Sequence, residues 1–253
     1  MEVNIIPCLE DNYSYIIVDK KNKSACVIDP SESVPIINFI ENNNLKLNYI
    51  LNTHHHFDHI GGNDELKKKY KAKIIGFADD YKRIPGIDIL LKDGEIWKEN
   101  NFEAKIIHIP GHTSGHICYY FYKEKNLFSG DTLFSLGCGR IFEGTYKEMY
   151  ESLSKLKKFP PNTKIYCGHE YTKKNSDFCL SIESKNSKLI NKINKINKNI
   201  QNGNPTIPSI LSDELECNIF LRSDNIEIQK QLGVNRGNPI EAFAKLRELK
   251  DNF

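Results

Sequence analysis

At 253 residues the chain can bury a substantial core, as one large domain or two smaller ones. Hydrophobic residues at 39% and charged residues at 27% describe an ordinary soluble protein, and a net charge of +2 leaves no case for a nucleic-acid partner. No stretch approaches the roughly 18 apolar residues of a membrane span, and no apolar h-region follows Met1-Glu2-Val3-Asn4.

In chain order, short apolar runs predict strands at residues 5–6, 16–18, 26–28, 47–51, 73–75, 105–109, 117–121, 127–128 and 165–167. Helices are predicted at 34–42, 64–70 and 146–156. The last opens with Thr145-Tyr146-Lys147-Glu148, a capping-box pattern. Lys123-Glu124-Lys125-Asn126 reads as a hairpin turn. After residue 172 strand signals vanish. Phe178, Ile182, Leu189, Ile193, Ile196 and Ile200 form a helical apolar stripe, and the Ile-Asn-Lys near-repeat within 190–198 reads as a solvated face with lysine outside. Gly203-Asn204-Pro205 stops that helix. Asn238-Pro239 starts a last one, on which Arg247 and Lys250 share a face while Phe243 and Leu246 turn inward. The expected division is 1–171 and 172–253, the second part slightly basic.

Chemistry concentrates at Thr53-His54-His55-His56-Phe57-Asp58-His59, directly after an apolar strand. In an extended segment His54 and His56 project to one side and can pinch one metal ion, while Asp58 and His59 sit where the chain turns. The pattern recurs at Gly111-His112, Gly130-Asp131 and Gly168-His169, each after a short apolar run. Strands of one sheet end at a common edge, so these side chains can converge. Imidazole and carboxylate without thiolate is the ligand style of an open, catalytic metal site. The seven cysteines are scattered, odd in number and without a C-x-x-C pair, which points to free thiols in a reducing, cytoplasmic setting.

With these residues in place the chain resembles the metallo-β-lactamase superfamily and, more narrowly, glyoxalase II, the hydroxyacylglutathione hydrolases. The broad resemblance rests on the T-H-x-H-x-D-H run with the later His, Asp and His. The narrow one rests on Ile6 to Tyr13, Gly130-Asp131-Thr132-Leu133-Phe134, Gly137-Cys138-Gly139-Arg140, Phe142-Glu143-Gly144-Thr145, Gly168-His169-Glu170-Tyr171-Thr172 and the tail from Leu246 to Phe253. It implies an αββα sandwich, an α/β (α+β) fold, followed by a helical substrate-binding domain. It also implies two divalent ions per chain, zinc first, with iron or manganese compatible.

His54, His56 and His112 would hold one ion, and Asp58, His59 and His169 the other. Asp131 would bridge them and, with Asp58, position a metal-bound hydroxide. Arg140, Phe142, Tyr171, Arg247 and Lys250 would meet the glutathione moiety. Arg140 replaces a family lysine. Phe142 replaces a tyrosine common in the family, which removes one side-chain hydroxyl. The implied reaction is hydrolysis of S-D-lactoylglutathione to D-lactate and glutathione, the second step of methylglyoxal detoxification, by a cytoplasmic monomer. Competing readings are another thioesterase or lactamase of the superfamily, an iron-dependent glutathione persulfide dioxygenase, and a non-enzymatic glutathione-conjugate or metal binder.

Overall fold

The computed structural model describes residues 1–253, which form two compact units: 1–108 with 115–130, and 109–114 with 131–253. In the first unit, β1 (Glu2–Cys8), β2 (Asn12–Asp19), β3 (Ser24–Ile28), β4 (Lys46–Leu51), β5 (Lys73–Phe77) and β6 (Ile89–Leu91) make one sheet in sequence order. β1, β2 and β3 pair antiparallel and β3 to β6 parallel. Parallel neighbours need crossovers. Helix α1 (Ser33–Asn42) supplies one, and the one-turn α2 (Phe57–Ile60) with α3 (Asn63–Tyr70) supplies the next.

A second sheet holds β7 (Ile96–Glu99), β8 (Phe102–His108), β9 (Ile117–Phe121) and β10 (Asn126–Gly130), paired antiparallel. Strand alternation explains the layering. Ile16 and Val18 of β2 join Ile36, Ile40 and Leu66 in a core beneath α1 and α3. Tyr15, one residue out of phase, meets Phe128 of the second sheet with ring centroids 5.3 Å apart. Tyr49 meets Trp97 in the same way at 5.3 Å. Burying each such aliphatic side chain contributes about 1.5–3 kcal/mol relative to exposure.

The second unit contains a short ribbon, β11 (Leu133–Phe134) and β12 (Gly137–Cys138), then α4 (Tyr146–Leu156), β13 (Lys164–Cys167), α5 (Thr172–Ile182) and α6 (Ser187–Gln201). β14 (Ser209–Ile210), α7 (Leu211–Cys217), α8 (Ile226–Gln231) and α9 (Pro239–Asp251) complete it. The capping box at α4 forms as read, and Asn238 caps α9. All seven cysteines are buried thiols outside any disulfide.

Four sequence expectations change. The apolar stripe from Phe178 to Ile200 spans two helices, because the seven-residue step from Ile182 to Leu189 hides a break where Asn186 caps α6 through the amides of Lys188 and Leu189. Strand structure does not end at 172, since β14 pairs with β13. β6 and β7 were not legible, each too short to show a period. Lys192 is not on the solvated face: it is buried and donates to Glu214 over 2.7 Å.

Candidate metal centre and substrate-side residues

β3 and β4 are parallel neighbours with Ile28 beside Leu51, so the residues that follow them emerge side by side. Asp29 turns there with a left-handed φ of 48°. Its Oδ1 accepts the Thr53 amide at 2.7 Å, and its Oδ2 accepts the Thr53 hydroxyl at 2.6 Å. That hydroxyl, having donated its proton, can only accept from His54 Nδ1 at 3.0 Å. Asp29 Oδ2 also accepts from His59 Nδ1 at 3.0 Å. Both rings are thereby held with Nε2 carrying the lone pair.

His54 to His56 are not in a strand; they follow one, and His56 is the residue preceding α2. His54 Nε2 lies 3.1 Å from His56 Nδ1, and His59 Nε2 lies 3.6 Å from Asp58 Oδ2. Asn12 donates to Asp58 Oδ2 at 3.0 Å and orients it. His54, His59 and Asp29 are fully buried. The packing leaves no room for substitution at Gly130, whose φ is +48° and where a Cβ would stand 2.7 Å from His116 Nε2. His116 stacks on His54 with centroids 4.7 Å apart, His55 reaches Asp80 at 3.4 Å, and His108 stacks on Phe77.

The second unit carries the other three expected ligands. His112 Nδ1 donates to the Arg140 carbonyl at 2.8 Å, which again leaves Nε2 as the lone-pair nitrogen. Asp131 Oδ2 stands 3.6 Å from His112 Nε2 and 3.2 Å from His169 Nε2, one oxygen between two imidazoles. His169 follows β13, and its ring lies parallel to that of Tyr171, 4.7 Å away and tilted by 4°. The Cys167 thiol donates to the His169 carbonyl at 3.4 Å, and burial pushes its pKa up to about 12.

Within each unit, then, buried imidazole nitrogens with oriented lone pairs approach other nitrogens or carboxylate oxygens at 3.1 to 3.6 Å. Protons are already committed elsewhere on His54, His59 and His112, and a nitrogen–oxygen set of this kind suits a divalent cation.

The residues expected to meet the substrate all belong to the second unit. Arg140 is exposed, with Nε 3.6 Å from Asp251 Oδ1. Phe142 is 62% exposed and meets His112 edge-on, while its amide donates to the His112 carbonyl at 3.1 Å. Lys250 donates to the Lys174 carbonyl at 3.1 Å and lies over the rings of Phe178 and Phe253. Burial, and then the neighbouring Arg247 charge, hold its ammonium below the ordinary lysine pKa. Arg247 does not share Lys250's outward face. It is 4% exposed, donates to the Cys138 carbonyl at 2.8 Å and to Asp251 at 2.9 Å, and packs over Phe220.

Asp29 escaped the sequence reading. The signal was present: like Asp131, it follows a buried strand directly, here with Pro30 after it.

The family described as metallo-beta-lactamase superfamily matches residues 9–169, and hydroxyacylglutathione hydrolase C-terminus matches 170–253. A hydroxyacylglutathione hydrolase of Pelagibacter ubique is 59% identical over 253 residues, covering 100% of both chains. This chain belongs to the hydroxyacylglutathione hydrolase family. A second hydroxyacylglutathione hydrolase, from Methylococcus capsulatus, is 42% identical over 100% of this chain and 99% of its own. The crystal structure of ETHE1 from Myxococcus xanthus shares the fold at a TM-score of 0.67, with 22% identity over 99% of this chain and 100% of that one. The fold is therefore that of the metallo-β-lactamases, extended by the helical C-terminal region characteristic of hydroxyacylglutathione hydrolases. Its histidine and aspartate groups suit divalent metal ions. No helix is long and apolar enough to cross a membrane.

Proposed function

We propose that this hydroxyacylglutathione hydrolase cleaves S-D-lactoylglutathione to D-lactate and glutathione. The observation that carries the reading is Asp131 Oδ2 facing both His112 and His169, on the same unit that presents Arg140, Tyr171 and Lys250. A carboxylate oxygen between two imidazoles is how a bridging ligand is set up. We assign His54, His56 and His112 to one ion, Asp58, His59 and His169 to a second, and Asp131 to both. The oriented lone pairs of His54, His59 and His112 support this. Zinc is our first assignment, with iron or manganese compatible with the same donors.

When bound, such ions would activate water and polarise the thioester carbonyl. The chain's own residues then bind and orient. Water adds to the thioester carbon, the C–S bond breaks, and the glutathione sulfur leaves as a thiolate that picks up a proton. A thiol pKa near 8.5 makes it a good leaving group, so no strong protein acid is needed. The tripeptide carries two carboxylates, which guanidinium and ammonium groups suit. Arg140 and Lys250 take those roles, the Tyr171 hydroxyl donates a hydrogen bond, and Phe142 forms an apolar wall. Arg247 completes the set from beneath, adding positive charge and fixing Cys138 and Asp251. We place the division between the catalytic and helical parts at 171/172, which the boundaries of the two family matches support.

The test pairs metal analysis with assays of S-D-lactoylglutathione and of one plain acyl thioester. Two ions per chain, selective hydrolysis of the glutathione ester, loss of activity on chelation and its return with metal are expected. His54→Ala and Asp131→Ala should abolish turnover. Equal rates on both esters, or full activity with one ion or none, would refute the assignment.

A further inference from the structure

The ribbon β11–β12 is too short to satisfy its own backbone: its two strands have two residues each. An isolated pair of that size is not stable in water, and its buried carbonyls still need donors. Side chains of the helical segments supply them one after another. Asn218 Nδ2 donates to the carbonyls of Phe134 at 3.3 Å and Gly137 at 3.0 Å. Asn175 donates to Ser135 at 3.1 Å, the Cys179 thiol to Leu136 at 3.2 Å, and Arg247 to Cys138 at 2.8 Å. Every carbonyl from 134 to 138 is held this way. The Leu136 amide donates in turn to Glu214 at 2.7 Å, whose other oxygen accepts from buried Lys192. All five clamping side chains are at most 5% exposed.

The ribbon lies between two residues of the proposed site. Asp131 stands two residues before it, and Gly139 closes back on Thr132 with an amide–carbonyl bond of 3.3 Å. Arg140 stands two residues after it, and its carbonyl orients His112. We propose that Asn175, Cys179, Glu214, Asn218 and Arg247 are positioning residues that clamp the 134–138 backbone and thereby set the placement of Asp131, His112 and Arg140 together. The helical segments then serve metal retention as well as substrate binding. A metal ligand and a substrate-side residue are coupled through one stretch of main chain. This rests on the metallohydrolase reading above.

The experiment compares Asn175→Ala, Asn218→Ala and Cys179→Ala with Gln229→Ala in the full-length holoenzyme. Gln229 is an equally buried amide of the same unit. It bonds Ser223 and Gly237 and does not touch the ribbon. The readouts are the rate of metal loss to a chelator, KM and kcat on S-D-lactoylglutathione, and Tm. The asparagine variants should lose metal about ten times faster than wild type and show a raised KM. Gln229→Ala, with a similar fall in Tm, should keep both near wild type. If an asparagine variant fails to fold, Cys179→Ala, which removes one thiol, should give the same changes at about two- to threefold. Metal loss and KM that track Tm identically in all variants would overturn the clamp. A wild-type protein that binds metal without hydrolysing the ester would instead overturn the functional reading, and the chelator comparison would still judge the clamp.

Discussion

His59 donates its Nδ1 proton to Asp29 Oδ2 across 3.0 Å, and both side chains are buried. The same carboxylate holds Thr53, which in turn fixes His54. One aspartate thus sets the orientation and tautomer of two expected ligands, one for each proposed ion.

Asp29→Asn tests that relationship. The amide keeps the shape but turns one acceptor into a donor, which then faces either the Thr53 amide or both the Thr53 hydroxyl and His59 Nδ1. Metal affinity, measured by competition with a chromophoric chelator, should fall by about 10- to 100-fold. Unchanged affinity would reduce Asp29 to a turn residue.

Lys250→Ala should raise KM roughly tenfold, as loss of a charged hydrogen bond worth about 1.5 kcal/mol requires, while kcat stays near wild type. The pH dependence has a definite sign. A tail carboxylate is held while the ammonium is charged, and that hold is lost as pH rises through the depressed lysine pKa. Wild-type KM should therefore climb with rising pH before an ordinary lysine would titrate, and this climb should be missing in the variant. A fall in kcat alone would show that Lys250 does not anchor the tripeptide.

Phe142→Tyr should lower KM by about two- to fivefold at constant kcat, in line with a net hydrogen bond of roughly 1 kcal/mol. The ring is 62% exposed, so the added hydroxyl meets no steric barrier. The Phe142 amide is already committed to His112, so the backbone cannot donate in its place. An unchanged KM would mean that no substrate group lies within reach of the ring edge.

Lys192→Met should cost about 3–5 kcal/mol, the penalty for leaving a buried carboxylate unpaired, and lower Tm by roughly 10 °C. Burial alone would depress the Lys192 pKa, but Glu214 outweighs it and the net direction is upward. A raised folded pKa gives stability that is complete below the ordinary lysine value and lost as pH rises through the folded value. The Tm gap between wild type and variant should therefore narrow in strongly alkaline solution. A gap that stays constant across that range would contradict the ion pair.

Much of the architecture was legible in the primary structure because local rules sufficed. Short apolar runs marked β2, β4, β8 and β9, and Thr145 with Glu148 and Asn238 with Pro239 announced α4 and α9. The expected ligands were visible because each follows a strand end, which is a local property. By contrast β6, β7 and β14 are three, four and two residues long and owe their conformation to a neighbour already in place. The break between α5 and α6 hid behind a spacing that still counts as helical.

The order of residues along the chain thus determined which groups can bind metal and where each stands along its strand, because side-chain chemistry and strand periodicity are written locally. Only the folded molecule decided that Asp29 sets the imidazole tautomers, that Arg247 and Lys192 point inward, and that the 134–138 carbonyls depend on side chains 40 or more residues away. Those are outcomes of burial and of long-range hydrogen-bond satisfaction. A buried polar group takes whichever partner the packing brings to it, and no spacing in the sequence names that partner.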